Sequence, residues 1–358
     1  MPPRSSAAPD RMQLSRRNLI AGASALFAAP ACAKQDYISL PPLKSLLASP
    51  LGVAVRDLQL DDPEWTKLAT THFSRLTAEW ESKMEYVLKP DGTLQFDRGD
   101  RLAQFARDNG MTVHGHTLVW YEQDGEPFQK LKTNRDAFLA FYADYIKAVM
   151  TRYRGIATGW DVVNEPILFE GEGLRDCLWR QVLGDDYIGL AFAAAREADP
   201  DAVLFVNEYH LEHRPVKRKT LLKLVESLLK SGAPITGIGT QTHISADIKP
   251  GMITEAIRDI TSMGLKVHVS EVDIAISDYK FGSMAEPRLD QIRALEEIIT
   301  AYKAIPASQQ YGLTFWGLRD SDSWINAPRE TNGRDEPLLF DKLGRPKPLT
   351  AALAKVLA

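Results

Sequence analysis

Eight short runs of apolar and β-branched residues, alternating with segments of helical period, predict an α/β chain closed as a single (β/α)8 TIM barrel. The runs fall near residues 52–56, 73–79, 112–120, 159–165, 203–209, 235–243, 266–274 and 312–318. Strands that alternate with helices form a parallel sheet, and eight is a number that closes one. No internal repeat, low-complexity tract or Gly/Ser linker follows residue 50, so 51–358 reads as one domain. An open doubly wound sheet is the rival, but no Gly-x-Gly-x-x-Gly follows an early strand.

The helical segments show their buried faces. In 134–153, Phe138, Phe141, Tyr142, Tyr145, Ile146 and Val149 recur at spacings of three and four behind Asn134, a capping residue. Tyr187, Leu190, Ala191, Ala194 and Ala195 do the same in 185–198, and Ile253, Ile257 and Ile260 in 252–263. Residues 285–303 offer Leu289, Ile292, Leu295, Ile298 and Ile299. A last helix is expected from about Leu349, packing Leu353 and Val356.

The chain has 358 residues, 44% hydrophobic and 25% charged, with a formal charge of −4. Its arginine-rich start makes the remainder more acidic still. An acidic body without a basic stripe argues against a nucleic-acid partner. Ser15-Arg16-Arg17-Asn18-Leu19-Ile20 is a twin-arginine signature, followed by an Ala/Gly-rich apolar run and a small-residue cleavage site at Ala31-Cys32-Ala33. Residues 1–33 are therefore expected to direct export, to the periplasm or beyond the cell. The apolar run is too short to span a bilayer, so no membrane association is expected after cleavage. Cleavage would leave Cys177 as the one cysteine, without a disulfide. Residues 34–50, broken by Pro41, Pro42 and Pro50, read as a poorly patterned lead-in.

In a barrel, one set of strand ends lines one mouth, where chemistry is done. Strand two delivers Glu79, followed by Lys83. Strand three delivers His114 or His116, then Trp120, Tyr121 and Gln123. Strand four delivers Asn164 and Glu165, and strand five Asn207, Glu208 and Tyr209. Strand six delivers Gln241 and His243, strand seven Glu271 and Asp273, and strand eight Trp316, with Arg319, Asp320, Asp322 and Trp324 beyond. His114 and His116 are expected on opposite faces, leaving one as a packing residue. Glu165 and Glu271 each end a buried strand. Two such carboxylates can cleave a glycosidic bond: one protonates the leaving oxygen while the other attacks the sugar. The attacker must stay ionised, and His243 and Asp273 are candidates for orienting and tuning it. Asn164 could bond the sugar 2-hydroxyl. Trp120, Trp316 and Trp324 offer flat faces for pyranose rings, and Gln, Lys and His side chains supply partners for hydroxyls. Taken singly, a strand-end Glu is more often a solvated loop residue, and a strand Trp is usually core. No His-x-x-x-His or Cys-rich spacing marks a metal site, and two carboxylates need no cofactor.

These motifs resemble glycoside hydrolase family 10, the endo-β-1,4-xylanases built on a (β/α)8 barrel, over about residues 50–350. The resemblance rests on His116-Thr117-Leu118-Val119-Trp120, Trp160 to Pro166, Leu204 to Tyr209, Gly237 to His243, Ser270-Glu271-Val272-Asp273 and Thr314 to Trp324, in the family's order. It implies that Glu165 is the acid/base, that Glu271 is the nucleophile, and that Gln241 and His243 surround Glu271. The implied substrate is xylan or a xylo-oligosaccharide, bound by a chain acting as a monomer. The family's Glu-Asn-x-Met-Lys run is here Glu79-Trp80-Glu81-Ser82-Lys83, and its His after Trp120 is Tyr121. Both changes are expected on the glycone side, altering specificity there. A related barrel glycosidase acting on another β-linked glycan or on a glycosylated small molecule is the second reading. A non-catalytic sugar-binding protein is the third, disfavoured because both carboxylates are present.

Overall fold

A computed structural model describes residues 40–276, 285–326 and 334–358. The expected export segment, with Arg16, Arg17 and Cys32, lies outside the described residues. The strands are β1 (Leu51–Val55), β2 (Arg75–Ala78), β3 (Thr112–Trp120), β4 (Ala157–Asn164), β5 (Val203–Glu208), β6 (Gly237–Thr240), β7 (His243–Ser245), β8 (Lys266–Ala275) and β9 (Gln310–Phe315). All pair in parallel. β1 lies between β2 and β9, and β6 pairs with β8, so eight of them close a barrel. The three-residue β7 continues beyond β6 and pairs with the far end of β8, setting His243 opposite Asp273.

The helices follow the predicted periods. Asn134 caps Arg135–Tyr153, accepting from the Ala137 amide at 3.2 Å, and Phe138, Tyr142, Tyr145, Ile146 and Val149 are buried. Burial of each such side chain contributes about 1.5–3 kcal/mol. Helices Tyr187–Ala198, Met252–Thr261, Ala285–Lys303 and Pro348–Leu357 match the expected segments. Leu289 does not: it is 67% exposed, because the buried stripe of its helix runs through Leu295, Ile298 and Ile299. The described part of the lead-in is docked. Leu43 is fully buried, and Lys44 donates to the Thr70 carbonyl at 2.6 Å.

Both ends of the barrel sequence meet at one helix. Asp62 caps Pro63–His72, accepting from the Glu64 and Trp65 amides, and its other oxygen accepts from Arg319 Nη1 at 2.7 Å. Trp65, fully buried, donates its indole N–H to Asp322 Oδ2 at 3.1 Å.

The barrel interior is polar as well as apolar. His114 and His116 both turn inward: Asp161 Oδ2 lies 3.1 Å from His114 Nε2 and 2.8 Å from His116 Nδ1. The expectation of opposite faces is therefore corrected. Positions two apart in a strand share a face. His114 is the packing residue of the two, fully buried against Tyr311 and His268.

Candidate active site

The strand ends open into a cavity of about 420 Å³. Glu79, Lys83, His116, Trp120, Asn164, Glu165, Gln241, His243, Glu271, Trp316 and Trp324 line it, all expected from the sequence. Gln123 does not. Its side-chain carbonyl accepts from the Glu85 amide at 3.3 Å, turned to the neighbouring turn.

Glu165 is the first residue after β4, with φ at 56°. A left-handed conformation is costly for a side chain of this size and persists where the surroundings enforce it. Here the Glu165 amide donates to the Asn207 carbonyl at 2.8 Å. Pro166 adds to that cost, since a residue before proline prefers extended backbone. The Glu165 carboxylate accepts from Asn164 Nδ2 at 3.1 Å and from Gln241 Nε2 at 3.0 Å. Gln241 thus contacts the carboxylate of Glu165, whereas the resemblance placed it around Glu271.

Glu271 lies inside β8, four residues before its end, which corrects the expectation that it ends its strand. Its Oε1 accepts from Asn207 Nδ2 at 2.7 Å, and His243 Nε2 stands 3.3 Å from its Oε2. His116 Nδ1 is 4.0 Å from Oε1. Burial alone would raise the Glu271 carboxyl, but His116 and then His243 outweigh it and hold it below the ordinary value. Burial would likewise lower the His243 ring, yet Asp273, 2.9 Å from Nδ1, and then Glu271 lift it to about 10. The imidazolium sits between two carboxylates. Trp324, 44% exposed, donates its N–H to the same Asp273 oxygen at 2.8 Å.

Asn207 is the hub joining the two glutamates. One amide group reaches both Asn164 Oδ1, at 3.0 Å, and Glu271 Oε1, while its oxygen accepts from the Ser270 hydroxyl at 2.8 Å. Gly239 on the next strand leaves it room, since any Cβ there would strike the Asn207 side chain. Glu208, delivered by the same strand, goes elsewhere: it is fully buried, 2.8 Å from Lys217, and burial lifts its carboxyl to about 7 against the pull of that lysine.

The opposite wall carries the unusual residues. Burial raises the Glu79 carboxyl to about 7, opposed by Arg56, 3.5 Å away, and by Lys83. Lys83 Nζ lies 4.9 Å over the Trp120 ring. Trp80 lines the cavity, stacks on Tyr86 with 9° between the planes, and carries the Arg56 guanidinium 5.1 Å from its centroid. Tyr121 does not line the cavity. Its hydroxyl donates to Glu122 at 2.6 Å, and its ring faces Arg175. Its expected place on the glycone wall is therefore corrected. Glu122 and His210 also line the cavity, unforeseen from the sequence. Neither falls within a strand, and the strand-end pattern gave no signal for them.

His114, Asp161 and His268 are the group among the described residues whose ligand-type atoms approach within 4.8 Å of one another. One atom of each is engaged, with Tyr311, His116 and Thr314, while Asp161 Oδ1 and His268 Nδ1 have no hydrogen-bond partner among the described residues; none of the three lines the cavity. Two converging carboxylates with fixed donors, beside aromatic faces, can hold a sugar chain and cleave it without another group.

Comparison with known proteins agrees with this geometry. Endo-1,4-beta-xylanase A of Thermotoga maritima is 36% identical over 320 residues, which is 85% of this chain and 30% of that enzyme. The chain thus spans under a third of that relative. Beta-1,4-xylanase of Dictyoglomus thermophilum is 36% identical over 321 residues, 87% of this chain and 89% of that protein. The solved GH10 structure from Paenibacillus barcinonensis superposes with a TM-score of 0.82 at 34% identity, covering 88% of this chain and 97% of that one. A model of Glycosyl hydrolase family 10 matches residues 44–356, from the docked lead-in to the last helix, and the chain belongs to that family.

Proposed function

We propose that this chain is a retaining glycoside hydrolase that cleaves β-1,4-xylosidic bonds in xylan or xylo-oligosaccharides. The observation that carries the reading is the hydrogen-bonded path from Glu165 through Asn164 and Asn207 to Glu271, which sets two carboxylates in one cavity. Glu271, kept ionised by His116 and His243, attacks the anomeric carbon. Glu165 gives its proton to the departing glycosidic oxygen as the C–O bond breaks. Water then displaces Glu271 from the sugar, giving its proton to Glu165. Two inversions leave the configuration unchanged.

Glu165→Ala and Glu271→Ala should each fold and lose nearly all hydrolysis of xylo-oligosaccharides. Proton NMR of early products should show retained configuration. Inverted products would overturn the assignment of Glu271.

The glycone wall supports altered specificity. Trp80 puts a large ring where the family has an amide, so preference should shift toward short, branched or decorated chains. A β-linked glycan other than xylan is the second reading, also supported by Trp80. Rates on a panel of aryl glycosides and polysaccharides separate the two. Export rests on Arg16 and Arg17, and replacing both with lysine should leave the protein in the cytoplasm.

A further inference from the structure

We infer that Arg175 is a positioning residue for the proton-donating glutamate, a guanidinium held between Tyr121 and Tyr209 that fixes the backbone of Glu165. The inference rests on Glu165 acting as the acid. Arg175 Nε donates to the Glu165 carbonyl at 2.9 Å, and the Arg175 amide donates to the Pro166 carbonyl at 2.8 Å. The guanidinium carbon lies 4.0 Å from the Tyr121 ring centroid and 5.6 Å from that of Tyr209. Its Nη2 donates to the Tyr209 hydroxyl. Among the described residues no carboxylate accepts a hydrogen bond from this half-buried cation; Glu208 acts on it only at longer range, and its hydrogen bonds go to the acid's own peptide and to one of its stacking rings.

The arrangement answers a mechanical need. Glu165 holds a left-handed backbone at φ 56°, and such a residue relaxes unless it is held on both sides. Asn207 holds its amide and Arg175 holds its carbonyl. The two rings limit the guanidinium's rotation, so the fork arrives already aimed. A loosened Glu165 keeps its carboxyl but delivers the proton along a poorer line, and small misplacements of a catalytic group are expensive. Tyr121 therefore acts on the acid through Arg175, from outside the cavity.

The test compares substrates that differ in their need for that proton. kcat/KM is measured on dinitrophenyl β-xylobioside, whose leaving group departs without protonation, and on unactivated xylotetraose. Glu165→Ala is the reference and should lose xylotetraose cleavage while keeping most kcat/KM on the dinitrophenyl substrate. Arg175→Ala should lower kcat/KM on xylotetraose about tenfold to a hundredfold, part of what general acid catalysis supplies, and change the dinitrophenyl value less than about twofold. Arg175→Lys and Tyr121→Leu should show the same skew more weakly, and Tyr121→Phe, which keeps the ring, should behave as wild type. If Arg175→Ala does not fold, Arg175→Lys and Tyr121→Leu decide the matter. Equal losses on both substrates, or none, with Glu165→Ala still skewed, would overturn the role of Arg175. A Glu165→Ala variant without the skew would instead overturn Glu165 as the acid.

Discussion

The two walls of the cavity are built on different terms. On the wall formed by β4 to β8, each carboxylate has protein partners: Glu165 takes donors from Asn164 and Gln241, and Glu271 takes Asn207 with His243 beside it. On the wall at the end of β2, Lys83 rests over an indole face, Trp80 stacks on Tyr86, and Glu79 sits 3.5 Å from Arg56 with its carboxyl pushed up by burial. The first wall is preorganised, so it costs little rearrangement when charge develops in the reaction. The second leaves groups for a sugar to engage. Residues on the first are mutually constrained and hard to exchange. A residue on the second can change, as Trp80 has, without disturbing the reacting pair.

The largest effect should come from breaking the hub of the first wall. Asn207→Ala removes the donor shared by Asn164 and Glu271, and kcat/KM on xylo-oligosaccharides should fall on the order of a hundredfold, measured by steady-state kinetics. A loss smaller than that caused by changing Trp80 would erase the contrast between the walls.

Asp273→Asn comes next. Without that carboxylate the His243 ring loses the partner that lifts it to about 10. It should deprotonate at lower pH, so on dinitrophenyl β-xylobioside, which does not need the proton of Glu165, the alkaline fall in kcat/KM should begin earlier than in wild type. An unmoved alkaline limb would show that His243 does not govern Glu271.

The same histidine makes stability depend on pH. Its pKa rises on folding from 6.5 to about 10, so its contribution is fully present below 6.5 and is lost as pH climbs toward 10. Wild-type thermal midpoints should therefore drop more between pH 6.5 and 10 than those of His243→Gln. Parallel curves would contradict the charged ring.

The smallest effect belongs to the second wall. Trp80→Asn restores one amide, and one hydrogen bond contributes about 0.5–1.5 kcal/mol. KM for plain xylotriose should fall about two- to tenfold, with kcat unchanged and any preference for decorated chains reduced. A changed kcat would mean that the walls are coupled.

Much of this was legible in the chain. Glu165 stood out because buried parallel strands are apolar runs, and a glutamate at the end of one has to be explained; Glu271 closes a similar run, although its strand continues to Ala275. Strand three and the helix at 285–303 matched at both ends for the same reason of period. The misses have physical causes. The sequence expectation sets His114 and His116 on opposite faces, whereas a two-residue step returns to the same one. Leu289 fits the helical period but lies outside the stripe that the barrel covers. Tyr121 follows Trp120 in the chain yet turns from the cavity toward Arg175. Arg175 itself sits in a loop ten residues past Glu165, where periodicity carries no information. Gln241 follows β6, and nothing in that run says that its amide reaches Glu165.

The clasp at Asp62 has a consequence for how the molecule is made. Its cap on an early helix is shared with Arg319, and Trp65 of that helix waits for Asp322, each pair 257 positions apart. A nascent chain still missing its last segment would leave Asp62 and Trp65 without these partners. Such distant contacts delay closure until the segment that holds Arg319 and Asp322 has been made. Products that stop before Arg319 should therefore remain open and be prey to proteases.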